Sequence, residues 1–201
     1  MRSPFNFIVT PYNGRRYDNI KKIGDVDLIT SASQEDHMAS NRLATVVETP
    51  IVYDGEIKPG DTLVVHHNVF KFYNDMKGKQ RSGKSFFKDD LFLVDDYQYY
   101  LYNSNKKWRS IDQFCFVKPV PKQDYYLDHN GKEQPLLGIV KYTNNLLISE
   151  GINEGDLVSF KPDSEYEFTI DGEKLYRVLT NSITIKLNGL EEDKIRDNKG
   201  S

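Results

Sequence analysis

The sequence predicts an all-β chain made of two tandem small domains. Three observations carry that prediction: short aromatic runs that alternate, closely spaced glycine turns, and one set of segments that occurs twice in the same order. The 201 residues contain 13 tyrosines and 11 phenylalanines, which gather in runs such as NVFKFY and YQYYLY. A period of two suits a pleated strand and no helical face. Turn signals (YNG, YDGE, KPGD, HNGK, NEGD, IDGE, LNG) separate these runs. The best helical candidate is the charged tail GLEEDKIRDNKGS.

The repeat gives the domain organisation. IKPGDTLVVHH from Ile57 has a counterpart in INEGDLVSFKP, with Ile57, Gly60 and Asp61 aligned to Ile152, Gly155 and Asp156 at an offset of 95. RLATVVETP from Arg42 aligns with PLLGIVKYT from Pro135 or, one residue later, at offset 94. FNFIVTP from Phe5 matches FCFVKPV from Phe114 at offset 109, and LFLVDDYQYYLY from Leu91 matches YRVLTNSITIKL from Tyr176 at offset 85. The changing offsets assign the first copy about 15 extra residues within 12–41 and ten more within NDMKGKQRSGK. The first copy is thus expected to be the second copy plus two long loops. Each copy is of a size for a small barrel or sandwich of antiparallel strands, with domains at 1–105 and 106–201.

Taken in order, the first copy opens with a strand at Phe5 and continues into the segment 12–41, YNGRRYDNIKKIGDVDLITSASQEDHMASN. A loop of that length in a small β domain is functional or disordered. Its ends are polar, and its middle gathers Ile23, Val26, Leu28 and Ile29 around Gly24. Such a cluster is either tucked against its own domain or held out for a partner. Farther on, Gly78, Gly83, Lys84 and Ser85 spell G-x-x-x-x-G-K-S, a phosphate-loop signature, and LFLVDD follows like a magnesium-binding strand. A phosphate loop must leave a strand and enter a helix, yet FFKDDLFL after Ser85 reads as strand. Two parallel strands also need a crossover of a dozen or more residues, and this spacing leaves room for a hairpin alone. Residues 74–84 are therefore expected to form a hairpin whose solvated tip carries Lys77, Lys79, Arg81 and Lys84.

No catalytic or metal constellation emerges. His66 and His67 are neighbours in an expected strand and would point to opposite faces, while His37 and His129 lie in loops without ligand spacing. Cys115 sits between Phe114 and Phe116, on the face opposite both, with no histidine partner. Asp89 and Asp90, like Asp95 and Asp96, would diverge on a strand, which is poor geometry for acid–base work. A non-enzyme with no cofactor and no metal is expected. The net charge of −3 gives no general attraction for nucleic acid, and the apolar runs are far shorter than the ~20 residues that span a bilayer. A lone cysteine and the lack of a leader-like opening predict a soluble, cytoplasmic protein.

This arrangement resembles the GroES family of co-chaperonins. The resemblance rests on the order strand, long loop with a glycine and aliphatic residues, RLATVV-type strand, Gly-Asp turn before an apolar strand, and closing hairpin. It covers Phe5 to Asn103 and again Phe114 to Asn188. It implies two tandem GroES-like β-barrels and a mobile loop whose tip, Gly24, Val26, Leu28 and Ile29, binds apolar grooves of a GroEL-type chaperonin ring. ATP would be bound by that partner. It also implies assembly of copies into an oligomeric ring, without membrane or nucleic acid. Asp25 and Asp27 interrupt a tip that is usually uninterrupted, the matching loop KQDYYLDHNGKEQP of the second copy has no such tip, and the roof segment is short in both copies. Reduced roofs and divergent tips are similar to those of phage co-chaperonins, which points to a phage protein in the host cytoplasm. The rival readings are a structural or virion β protein and a nucleic-acid-binding barrel that uses the basic hairpin with Tyr97, Tyr99 and Tyr100 exposed.

Overall fold

The structure is a computed structural model that describes residues 1–17, 20–23, 26–29, 40–121 and 133–187. The chain divides into two compact units, Met1–Trp108 and Arg109–Ser201. The first contains β1 (Phe7–Pro11), β2 (Ile20–Ile23), β3 (Val26–Ile29), β4 (Leu43–Glu48), β5 (Thr62–Val65), β6 (Phe72–Asn74), β7 (Gln80–Ser82), β8 (Phe86–Lys88), β9 (Leu91–Val94) and β10 (Tyr99–Ser104). β11 (Lys107–Ser110) spans the division. The second unit contains β12 (Phe114–Pro121), β13 (Glu133–Tyr142), the short helix α1 (Asn145–Ser149), β14 (Leu157–Phe160), β15 (Glu165–Ile170), β16 (Glu173–Leu179) and β17 (Ile183–Leu187). The chain is all-β, and α1 is its one α-helix among the described residues.

The strands join into two antiparallel sheets ordered β11-β10-β5-β4-β1-β9-β8 and β15-β16-β12-β13-β14-β17, with β2-β3 and β6-β7 as separate ribbons. Among the described residues neither order returns to its first strand, so both sheets are open as hydrogen-bonded. Alternation explains which residues turn inward: in β4, Ala44 and Val46 are buried while Thr45 and Val47 are more exposed. The first core is rich in aromatic rings, with Phe7, Phe70 and Phe92 fully buried and Phe70 edge-on to Phe92 at 4.9 Å. In the second unit one buried cluster is built on Cys115, Val117, Val140, Leu147, Val158, Phe160 and Val178, and buried Phe116 lies edge-on to buried Phe168 at 5.7 Å. Asn144 caps α1 there: its side-chain carbonyl accepts from Leu147 N–H at 2.8 Å, and its amide donates to Phe114 O at 2.7 Å and Thr180 Oγ1 at 2.8 Å.

The two units share one strand order. Running β8-β9-β1-β4-β5-β10 through the first sheet corresponds, strand for strand, to β15-β16-β12-β13-β14-β17. Pairing registers fix the alignment to the residue. Ala44 opposite Leu63 and Gly138 opposite Val158 uphold offsets of 94 and 95. Val9 opposite Val46 and Val117 opposite Val140, however, set the first-strand offset at 108 rather than 109. Phe92 and Tyr176, opposite Val9 and Val117, set the last at 84 rather than 85. The sequence match had aligned like aromatic residues, whereas the fold aligns burial: Phe7, Ile8 and Val9 correspond to Cys115, Phe116 and Val117, all buried. Even the irregularities coincide, at Ile8/Val9 and Phe116/Val117, and again at Val64/Val65 and Ser159/Phe160. The first copy therefore carries 14 and 11 extra residues in its two insertions.

The recurring Gly-Asp is a turn device. Gly60 and Gly155 adopt φ of +95° and +92°, which a side chain resists, and their N–H groups donate to Val46 O and Val140 O at 2.8 Å each. The following carboxylates close the turn from inside, Asp61 accepting from Lys58 N–H at 2.9 Å and Asp156 from Asn153 N–H at 2.7 Å.

Candidate partner-binding insertions of the first unit

Both insertions belong to the first unit, and they share a root. Arg16, at the start of the long insertion, lies against three rings, its guanidinium carbon 4.5 Å from the centre of Phe72, 4.8 Å from Phe92 and 5.4 Å from Phe86. Its Nη2 donates to Asp90 Oδ1 at 3.2 Å, and the side chain is largely buried. Tyr17 stacks on Phe72 at 5.7 Å, and its hydroxyl accepts from Phe72 N–H at 3.2 Å. Tyr17 also forms a bridge with Ser40 at the far end of the insertion. Asn41 completes the closure, its amide donating to Tyr12 O at 3.0 Å and Arg15 O at 2.7 Å, its N–H to Arg16 O at 3.0 Å. The long segment thus leaves and re-enters the unit through one pinned neck, packed on β6 and the β8–β9 turn.

Beyond the neck, β2 and β3 pair antiparallel, with Ile20 opposite Ile29, Lys21 opposite Leu28, Lys22 opposite Asp27 and Ile23 opposite Val26. Val26, Leu28 and Ile29 therefore share one strand. Their positions alternate, Val26 and Leu28 with one parity, Asp27 and Ile29 with the other. The aspartate that breaks the aliphatic run is opposite a lysine position. Gly24 lies outside the described residues, as does His37.

The second insertion is the β6–β7 ribbon, with Phe72 opposite Ser82 and Tyr73 opposite Arg81. Its turn is tightly specified. Gly78 N–H donates to Asp75 O at 2.8 Å and Asp75 N–H to Lys79 O at 2.9 Å, with Gly78 at φ +73°, a three-residue hairpin loop ending in a left-handed residue. Asp75 also accepts from Lys77 N–H at 2.9 Å, Lys79 N–H at 3.0 Å and Arg81 Nε at 3.1 Å. The Lys79 and Lys77 amides and the Arg81 guanidinium hold its carboxyl below the usual range. Gly78 and Gly83 of the phosphate-loop signature therefore serve the ribbon: Gly83 N–H donates to Lys71 O at 2.9 Å, and a side chain at Gly83 would meet that oxygen at 3.1 Å. Ser85 is buried, its hydroxyl accepting from Gln98 Nε2 at 3.2 Å, and β8 follows where a phosphate loop needs a helix.

The remaining candidates lie at a strand end, in the core and in turns. His66 and His67 lie just past the end of β5, not within it, so their rings stack at 4.1 Å instead of diverging. His66 Nδ1 accepts from Asn68 N–H, and no group of three metal-ligating side chains occurs among the described residues. Cys115 is fully buried beside an equally buried Phe116, and burial pushes its thiol up to about 12. Asp89 and Asp90 form the β8–β9 turn, and Asp95 closes the β9–β10 turn by accepting from Tyr97 N–H at 3.0 Å. Of the three tyrosines expected at the surface, Tyr97 is exposed, while Tyr99 and Tyr100 are buried because the bulge in β10 turns both inward. Sequence reasoning missed Arg16, Tyr17 and Asn41, which carry no motif and close the neck through partners distant in the chain. No protein-family model matches this chain, and no curated protein matches it.

Proposed function

We propose that this protein is a non-enzymatic co-chaperonin built from two tandem GroES-like barrels. The first supplies the contact to a GroEL-type chaperonin ring, and the second supports assembly of copies into an oligomer. The observation that carries this reading is the pinned neck of residues 12–41: a long segment that includes Val26, Leu28 and Ile29 belongs to one of two units with a common strand order, and its base is held by Arg16, Tyr17 and Asn41. Val26, Leu28 and Ile29, with Gly24, form the contact that enters an apolar groove of the ring. The chain needs no cofactor, since ATP is bound by the ring, and it works in the cytoplasm, that of the host if it is a phage product. A contact on a long tether binds weakly because ordering the tether costs entropy, and several tethers on one assembly restore avidity while allowing release in each cycle.

The test is co-elution with a chaperonin of the presumed host in ATP, in ADP and without nucleotide, alongside a form lacking residues 23–29. Nucleotide-dependent co-elution that the deletion abolishes is the expected result. Leu28→Asp is expected to reduce binding more than about a hundredfold while leaving the circular dichroism spectrum unchanged, since a docked charge replaces an apolar anchor. Unchanged affinity removes Leu28 from the contact.

A further inference from the structure

The β6–β7 ribbon is the second insertion of the first unit, and its charge is unlike that of the rest of the chain. Residues 71–88 hold six cations against one carboxylate, in a chain whose net charge is −3. That one carboxylate, Asp75, is spent inside the turn on two backbone amides and Arg81. Among the described residues no ion pair engages Lys77, Lys79 or Lys84, and all three are exposed. The same ribbon carries Met76, fully exposed and next to Lys77 in the turn, and Tyr73, 52 % exposed on the ribbon face that also carries Arg81. The opposite face is anchored, because Phe72 and Ser82 meet Arg16 and Tyr17 at the neck of the long insertion. Four residues of strand from Phe72 to the tip reach about 13 Å.

We propose that this ribbon is a docking prong for an acidic protein surface with an apolar contact at its centre. In the co-chaperonin reading, on which this extension rests, that surface flanks the groove that receives the long insertion. Two features favour a compact acidic patch over a nucleic-acid strand. The cations are concentrated at one tip, so an extended polyanion would run on over a remainder that is net acidic. Lysine point charges around an exposed methionine also suit carboxylates arranged about an apolar spot, whereas base readers rely on flat aromatic platforms. The common root gives the arrangement its use: two prongs leaving one anchored point meet one partner, and the second contact forms at high effective concentration.

The test compares the full chain with Lys77→Glu/Lys79→Glu and Lys77→Gln/Lys79→Gln variants. Each replaces side chains whose backbone amides, not ammonium groups, hold the turn. Two probes of equal charge are titrated at low and high salt: a fluorescein-labelled peptide alternating glutamate with leucine, and oligothymidylate. The expected result is tighter binding of the peptide, weakened about tenfold by charge reversal at low salt and less at high salt. Tighter binding of oligothymidylate, binding of neither probe, or indifference to charge reversal overturns the docking prong. Against the chaperonin in ATP, charge reversal is expected to weaken binding about tenfold where deletion of 23–29 abolishes it. A full loss on deletion with no effect of charge reversal overturns the shared partner and leaves the co-chaperonin reading standing. Loss on charge reversal with no effect of deletion removes residues 23–29 from the contact, which overturns both the proposed loop contact and the shared partner and leaves the docking prong standing.

Discussion

At the scale of single residues, Arg16 does more than its charge suggests. Its guanidinium lies over Phe72, Phe92 and Phe86 and still reaches Asp90, so it joins core, ribbon and neck in one contact set. Arg16→Ala is expected to destabilise the first unit by about 2 kcal/mol, read from urea unfolding, with Arg16→Lys recovering only part of it. Glu173 offers a pH test in the second unit. Hydrogen bonds from Lys118 and Lys141, at 2.8 and 2.9 Å, hold its carboxyl below the ordinary 4.5. Because the folded value is depressed, the stabilisation is complete above 4.5 and fades as pH falls through the lowered value. The difference in melting temperature between wild type and Glu173→Gln should therefore shrink between about pH 6 and pH 3. A constant difference would show that the two lysines do not favour the ionised form.

At the scale of elements, the paired Gly-Asp turns give an internal control. Asp61 and Asp156 close equivalent turns, but Asp156 also meets Lys186 Nζ at 2.7 Å, an ammonium that in turn donates to Gly151 O at 2.8 Å. Asp61→Ala is expected to cost about 1 kcal/mol and Asp156→Ala about 2 kcal/mol, by denaturant unfolding of each variant. The turns were legible in sequence because a left-handed position selects glycine and a short carboxylate caps its own turn, both local effects. So was the all-β class, since alternation is written into each strand. The one-residue errors at the first and last strands of the repeat have a physical origin. The sequence match pairs like aromatic side chains whereas the fold pairs buried positions, so Phe5 and Phe114 look alike in the sequence although Phe114 corresponds to Asn6 in the fold. The histidine pair was misread for a related reason: β5 ends at Val65, one residue short of His66. The neck was illegible because Arg16 meets Phe72 and Asp90 across more than fifty residues of chain, and nothing near Arg16 announces them.

At the scale of the molecule, each unit buries a hydrophobic core of its own, with Phe7, Phe70 and Phe92 in the first and Phe116, Phe160 and Phe168 in the second. Asn144 ties the second together, and Asn144→Asp would set a carboxylate against the carbonyls of Asp112 and Phe114 that its amide now serves. Amide exchange in that variant is expected to rise first in β12 to β17; protection lost first in β1 to β10 would contradict the assignment of these contacts to the second unit. The same core holds the sole sulfhydryl of the chain. Fully enclosed and kept protonated, Cys115 is shielded from alkylating reagents while β12 stays seated. Its modification rate is therefore a built-in clock for the opening of one half of the protein, and it needs no added label. Timed in the presence of a partner, that clock reports whether engagement of the first unit slows or quickens the breathing of the second.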